Sequence, residues 1–228
     1  VFGILTGLVG PFADLLLLLM IPAVIAFLTH SALRYRMSRT SYRGIRFGYR
    51  GNRQDFIIKY YKWFFLTVIT LGIYSFWFSM NERRYIHKNI RYGDVEFSND
   101  CYGGEWFLLN LKGYLLSIIT LGIYSFWWQA DIFNYYINNL KMKKGAQSIT
   151  CYSTATGGGF FELIVINFLI VIFTLGIGAA WAEVRVHRFI CDNIKMEGDI
   201  NIDKIQQTEE EYKDAYGEEG MGILDLEI

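Results

Sequence analysis

Four stretches of the chain carry no charged residue: Leu15–Thr29, Trp63–Asn81, Gly113–Ala130 and Leu163–Ala182. Windows of this length predict apolar helices, since about 20 helical residues cross a hydrocarbon core of about 30 Å. Between the windows, short runs alternate polar and apolar letters, as in Asp94-Val95-Glu96-Phe97 and Asp199-Ile200-Asn201-Ile202. Alternation of that kind predicts half-buried strands. Four uncharged windows in 228 residues predict a polytopic membrane protein.

Three of the windows are copies of one another. Thr70-Leu71-Gly72-Ile73-Tyr74-Ser75-Phe76-Trp77 returns letter for letter at Thr120–Trp127, and in altered form at Thr174–Trp181. Counting from Trp77, Trp127 and Trp181, the eighth residue on is aromatic, the twelfth is Asn (Asn89, Asn139, Asn193) and the fourteenth is basic. A tandem repeat has to be settled before any other assignment, because it dictates the architecture. One unit reads strand, turn, apolar helix with the Thr-Leu-Gly core, basic helix end, Gly and strand again.

The fixed letters have physical uses. Asn near a helix end bonds freed carbonyls, and a basic residue there complements the helix dipole. Gly72, Gly122 and Gly176 would let another helix approach or would break the helix. Trp and Tyr (Tyr74, Tyr124) suit a membrane interface. Thr70, Thr120 and Thr174 complete the structural motif.

Two arrangements fit the repeat. Single crossings place alternate loops on opposite sides of a membrane. Re-entrant hairpins with Thr-Leu-Gly at the tip place all strands on one face, where they can pair. Single crossings are preferred here, because each apolar limb of a hairpin would be only about eight residues, reaching under half the bilayer. Backbone broken at that depth also needs cover for its polar groups. The expected fold class is a membrane protein, mainly α-helical, with tandem repeats of a Gly-interrupted apolar helix and short β-strand elements between. Its divisions are 1–33 (apolar span), 34–93, 94–145 and 146–202 (three units), and 203–228 (acidic tail). No Met opens the chain and no basic stretch precedes the first window, so a cleaved signal is not expected and earlier sequence is.

Zero net charge conceals an asymmetry. Residues 1–202 hold 20 Lys and Arg against 13 Asp and Glu, and 203–228 hold 2 against 9. Arg34, Arg36, Arg39, Arg43 and Arg46 follow the first window, a pattern that marks a cytoplasmic flank and meets lipid head groups. Nucleic acid is not expected as a partner. The tail ends in Met221–Ile228, where Ile223, Leu224, Leu226 and Ile228 interleave with acidic residues and could add as a strand to a partner's sheet edge.

Signals for chemistry are sparse. His30, His87 and His187 show no metal spacing, and no phosphate-binding loop or nucleophile elbow is present, so neither enzyme activity nor a cofactor or metal is expected. Asp14, Glu162, Asn167 and Glu183 touch the apolar windows and are candidate pathway residues.

This motif set resembles the YjgN-like family of bacterial inner-membrane proteins, a domain of unknown function. The segment Arg34–Gly51, with Thr40-Ser41-Tyr42-Arg43-Gly44-Ile45-Arg46-Phe47, is similar to that family's arginine-rich linker. The resemblance covers about 11–202 and implies a multipass protein of the bacterial inner membrane, without implying an activity. The expected function is a membrane-embedded scaffold or accessory subunit of a larger assembly, engaging lipids and a protein partner or a second copy. The alternative is a transporter or channel component.

Overall fold

Each repeated window is cut in two at its Thr-Leu-Gly. The computed structural model describes residues 2–145, 147–198 and 205–208, with backbone alone for 2–18. A long helix α1 (Phe2–Arg39) leads into β1 (Ser41–Tyr42) and β2 (Ile45–Tyr49). Three helical hairpins follow: α2 (Arg53–Ile69) with α3 (Ser75–Asn89), α4 (Gly103–Ile119) with α5 (Ser125–Asn138), and α6 (Gly157–Phe173) with α7 (Ala179–Asn193). Between and after them lie β3 (Ile90–Tyr92), β4 (Val95–Asn99), β5 (Leu140–Lys144), β6 (Gln147–Ser153) and β7 (Ile194–Gly198).

The strands form one antiparallel meander in the order β1 to β7. Links therefore alternate between the two ends of the sheet. All three hairpins leave from one end, and the tight turns near Gly44, Gly93 and Gly145, each glycine at positive φ, line the other. Every hairpin is clamped at its base by the same bond. Arg50 N donates to Asn89 O (2.9 Å), Asp100 N to Asn139 O (3.0 Å) and Thr154 N to Asn193 O (3.0 Å). Identical units thus sit in identical surroundings, which only the hairpin arrangement allows.

Aromatic contacts hold each hairpin closed and antiparallel. Phe56 meets Tyr85 (5.2 Å between centroids) near the base of the first and Tyr60 meets Phe78 (4.9 Å) further out. Trp106 with Tyr135 and Tyr114 with Trp128 do the same in the second, and Phe160 with Phe189 in the third. The later part of α1 packs on α2 as α3 packs on α4, burying Ala26 and Phe56 completely. His30 is enclosed there, with Nε2 2.9 Å from Gly51 O and its ring 5.2 Å from that of Tyr49. Burial holds its pKa below the ordinary imidazole value, and Arg53 and Arg34 push the same way against the Gly51 bond. Residues 205–208 cross to the turn end of the sheet, where Thr208 Oγ1 donates to Gly93 O (2.6 Å) and Gln206 N to Asp94 Oδ1 (3.3 Å).

The expectation of a membrane-spanning, mainly helical fold is therefore corrected. Among the described residues seven helices accompany a seven-stranded sheet, and no helix is long and apolar enough to cross a membrane. The 17 residues of α2, α4 or α6 rise about 25 Å, short of a core of about 30 Å. The chain then reverses instead of continuing. The single-crossing preference also underestimated the limbs, because each hairpin extends past its uncharged window into flanks such as Arg53–Lys62 and Glu82–Asn89.

Candidate functional site

The hairpin tips are the most unusual feature of the molecule. At the end of α2, Gly72 N donates to Thr67 O (2.8 Å) and Leu71 N to Val68 O (3.1 Å), the paired bonds of a Schellman ending. That ending needs a left-handed residue, a place usually taken by Gly or Asn. Here it is Leu71, at φ 51, and the second and third tips repeat it with Leu121 and Leu175 at the same φ. Gly72, Gly122 and Gly176 follow at φ 90–92. A branched side chain in the left-handed region costs roughly 1–2 kcal/mol, and each of these leucines is 93–94% exposed. Strain and exposed apolar surface thus coincide three times.

The Thr of the motif completes the turn. Thr70 Oγ1 donates to Leu66 O (2.8 Å) and accepts from Tyr74 N (2.9 Å). Thr120 and Thr174 make the same two bonds, to Leu116 O with Tyr124 N and to Ile170 O with Gly178 N. As a result all six backbone N–H groups from 70 to 75 have partners inside the tip: Leu66 O, Val68 O, Thr67 O, Thr70 O, Thr70 Oγ1 and Gly72 O. The tips at 120–125 and 174–179 repeat the scheme bond for bond. These six N–H groups therefore do not depend on water for a partner. Around the leucines stand more exposed apolar side chains, among them Ile69 and Ile73, Ile119 and Ile123, Phe173 and Ile177.

The other motif letters work at seams and bases. Asn89, Asn139 and Asn193 each donate to the carbonyl four residues back, at Tyr85, Tyr135 and Phe189, within their own helix ends. Trp77 stacks on Phe107 (5.5 Å) and covers Gly103, and Trp127 covers Gly157, so each belongs to the seam with the next unit. Trp181, on the last of the three described hairpins, is exposed. Tyr74 stacks with Trp77 and accepts from Asn81, while Tyr124 donates to Asp131. Sequence reading missed the Trp–Gly seam, because loops of different length put Gly103 and Gly157 at unequal distances from their tryptophans.

Three of the candidate pathway residues, Glu162, Asn167 and Glu183, lie on the third hairpin. Asn167 Nδ2 donates to Ala182 O (3.3 Å), tying α6 to α7, and Glu183 is exposed on α7. Glu162 lines a groove between those helices. Asp14 lies in the part of α1 described by backbone alone, and Ile223, Leu224, Leu226 and Ile228 lie outside the described residues. Of the basic block, Arg34 is an exposed residue of α1 whose charge disfavours protonation of His30, Arg36 and Arg39 close α1, and Arg43 and Arg46 flank the β1–β2 turn, with Arg39 over Tyr35 and Arg43 over Tyr42. Cys101 and Cys151 are buried free thiols, and burial pushes the Cys101 thiol up to about 11. Among the described residues no group of His, Cys, Asp or Glu comes together to hold a metal ion.

Fold and tips together define a class: a tandem-repeat α/β protein whose sheet carries a row of apolar-tipped helical hairpins. Residues 1–104 and 127–223 match the model of a bacterial protein family of unknown function, DUF898, and the chain belongs to that family. No curated protein and no solved structure matches the chain.

Proposed function

We propose that this protein is a scaffold that docks on the bacterial cytoplasmic membrane by dipping its three hairpin tips into one leaflet, without crossing it. The resemblance to YjgN-like inner-membrane proteins supports a membrane as the partner, and the tip chemistry supports this way of meeting it. One observation carries the reading. Three strained, exposed leucines stand on turns whose N–H groups from the motif Thr through the fifth residue after it are satisfied internally. Water would favour Gly or Asn at that position and would itself satisfy a broken helix. An apolar medium rewards Leu and penalises every unmade hydrogen bond.

A row of tips along one end of a sheet makes a multivalent contact, and linked contacts reinforce one another when geometry lets them engage together. The sheet, its turn end and the 205–208 segment remain outside the lipid and are free to hold a partner. A solute pathway is the weaker reading, since Asn167, the main polar side chain inside a window, is engaged with Ala182.

Flotation of the purified protein with vesicles of bacterial polar lipids tests the reading. Wild-type protein rises with the vesicles, and the triple variant Leu71→Glu/Leu121→Glu/Leu175→Glu stays in the dense fraction while keeping its circular dichroism. Wild-type protein that stays in the dense fraction would overturn the proposal.

A further inference from the structure

The groove between α6 and α7 combines features that the equivalent face of the second hairpin lacks. It is an open groove of about 630 Å³, lined by Glu162, Arg185, Arg188 and Asp192 toward the sheet and by Ile170 and Trp181 toward the tip. Counted from the motif Trp, Arg185 and Arg188 stand where the second hairpin has Asp131 and Asn134. Those two are committed: Asp131 lies 4.0 Å from Lys112 and accepts from Tyr124, and Asn134 donates to Ala155 O (3.1 Å). Among the described residues, the guanidinium groups of Arg185 and Arg188 have no ion pair or hydrogen-bond partner. The first hairpin has Asn81 and Arg84 at these positions, with Arg84 donating to Cys101 O, so the third unit differs from both in carrying two uncommitted guanidinium groups here.

We propose that this groove holds one phospholipid whose headgroup is a phosphodiester bearing a primary ammonium, as in phosphatidylethanolamine. The inference rests on the membrane-docking reading and names the lipid class. Arg185 and Arg188, one turn apart on α7, offer planar donor forks to phosphate oxygens. Glu162 and Asp192 accept from the ammonium, so the four charges are complementary to a zwitterion, whereas a purely anionic headgroup would leave two carboxylates opposed. The acyl chains run along Ile170 and Trp181 toward the apolar tip, with the indole at the boundary where a ring with one polar edge is favoured. A volume of this size suits a headgroup and the first part of its chains.

Native mass spectrometry from dodecyl maltoside micelles containing equal amounts of dioleoyl phosphatidylethanolamine and dioleoyl phosphatidylcholine tests the site without requiring a bilayer. The expected result is one retained phosphatidylethanolamine, preferred about tenfold over phosphatidylcholine. Arg185→Gln/Arg188→Gln loses the retained lipid. Glu162→Gln/Asp192→Asn retains a lipid but loses the preference, because a trimethylammonium group then does as well. Both variants still float with vesicles, since the tips are intact. Equal retention of the two lipids by wild type, unchanged retention by the arginine variant, or displacement by equimolar glycerophosphoethanolamine, which has no chains, would each overturn the assignment. Vesicle flotation reads the tips alone, so the docking reading and this one can fail separately.

Discussion

Trp77 lies across the first residue of the next unit's leading helix, Gly103, so closely that a methyl group there would fall inside the indole and reach the Trp77 backbone. Trp127 and Gly157 repeat the relationship one unit on. Each seam is thus a large ring laid over a residue with no side chain, and successive hairpins approach as closely as that pairing permits.

Gly103→Ala is accordingly expected to destabilise the fold by about 1–3 kcal/mol, as overpacking of a filled site does. Gly104→Ala, one position on and facing open space, is expected to be neutral or to stabilise by about 0.4–1 kcal/mol. Urea unfolding of the two variants side by side checks the difference. Equal midpoints would mean that Trp77 moves aside freely.

Much of this architecture was legible in the sequence, and the missing part has a physical cause. The repeat, the alternating run at Asp94–Phe97 and the Thr-Leu-Gly punctuation could be read from letter columns, because each unit meets the same neighbours, while the predicted strand at 199–202 lies outside the described residues. What misled was the assumption that a helix break inside an apolar window leaves polar backbone exposed. Thr70, Thr120 and Thr174 each reduce that cost by accepting from one freed N–H, a role visible only once the turn geometry is known. The uncharged windows were real, but apolarity over 18–20 letters cannot distinguish one long helix from two shorter ones folded back. The groove at Arg185 and Arg188 was hidden for another reason: it depends on what the counterparts of these residues touch in the other units, as Arg84 does Cys101 O and Asn134 does Ala155 O.

Thr70→Val keeps the shape of the side chain but removes both tip bonds, leaving Tyr74 N without its acceptor. A loss of about 0.5–1.5 kcal/mol is expected, the usual worth of a hydrogen bond, and Thr70→Ser is expected to recover most of it. Hydrogen exchange at the Tyr74 amide is the specific readout. Unchanged protection in the valine variant would show that the hydroxyl is dispensable to the turn.

Leu71→Asn should separate stability from membrane association. Asn tolerates the left-handed region far better than a branched apolar residue, so thermal stability in buffer is expected to rise, by up to about 1 kcal/mol. Flotation with vesicles is expected to fall, and to fall further when Leu121 and Leu175 are changed as well. A variant both more stable and fully membrane-bound would show that the leucines serve some other purpose.

His30 gives the fold a pH dependence whose sign can be worked out. Its pKa in the folded protein is depressed, chiefly by burial, with Arg53 and Arg34 adding to the effect against the Gly51 bond. The unfolded chain therefore takes up a proton at higher pH than the folded one. Stability is complete above the unfolded imidazole value of about 6.5 and is lost as pH falls below it, until the folded group also titrates. His87 is depressed as well, mainly by burial, and contributes in the same direction, while burial raises Glu82, which acts oppositely from about pH 4.5 upward. Melting temperature is thus expected to drop between pH 7 and pH 5. In His30→Gln, which keeps a donor for Gly51 O but cannot be protonated, the drop should be visibly smaller, and smaller still in combination with His87→Gln. A wild-type profile flat across that range, or a His30→Gln profile parallel to it, would show that the enclosed imidazole is not the group whose charging opens the α1–α2 seam.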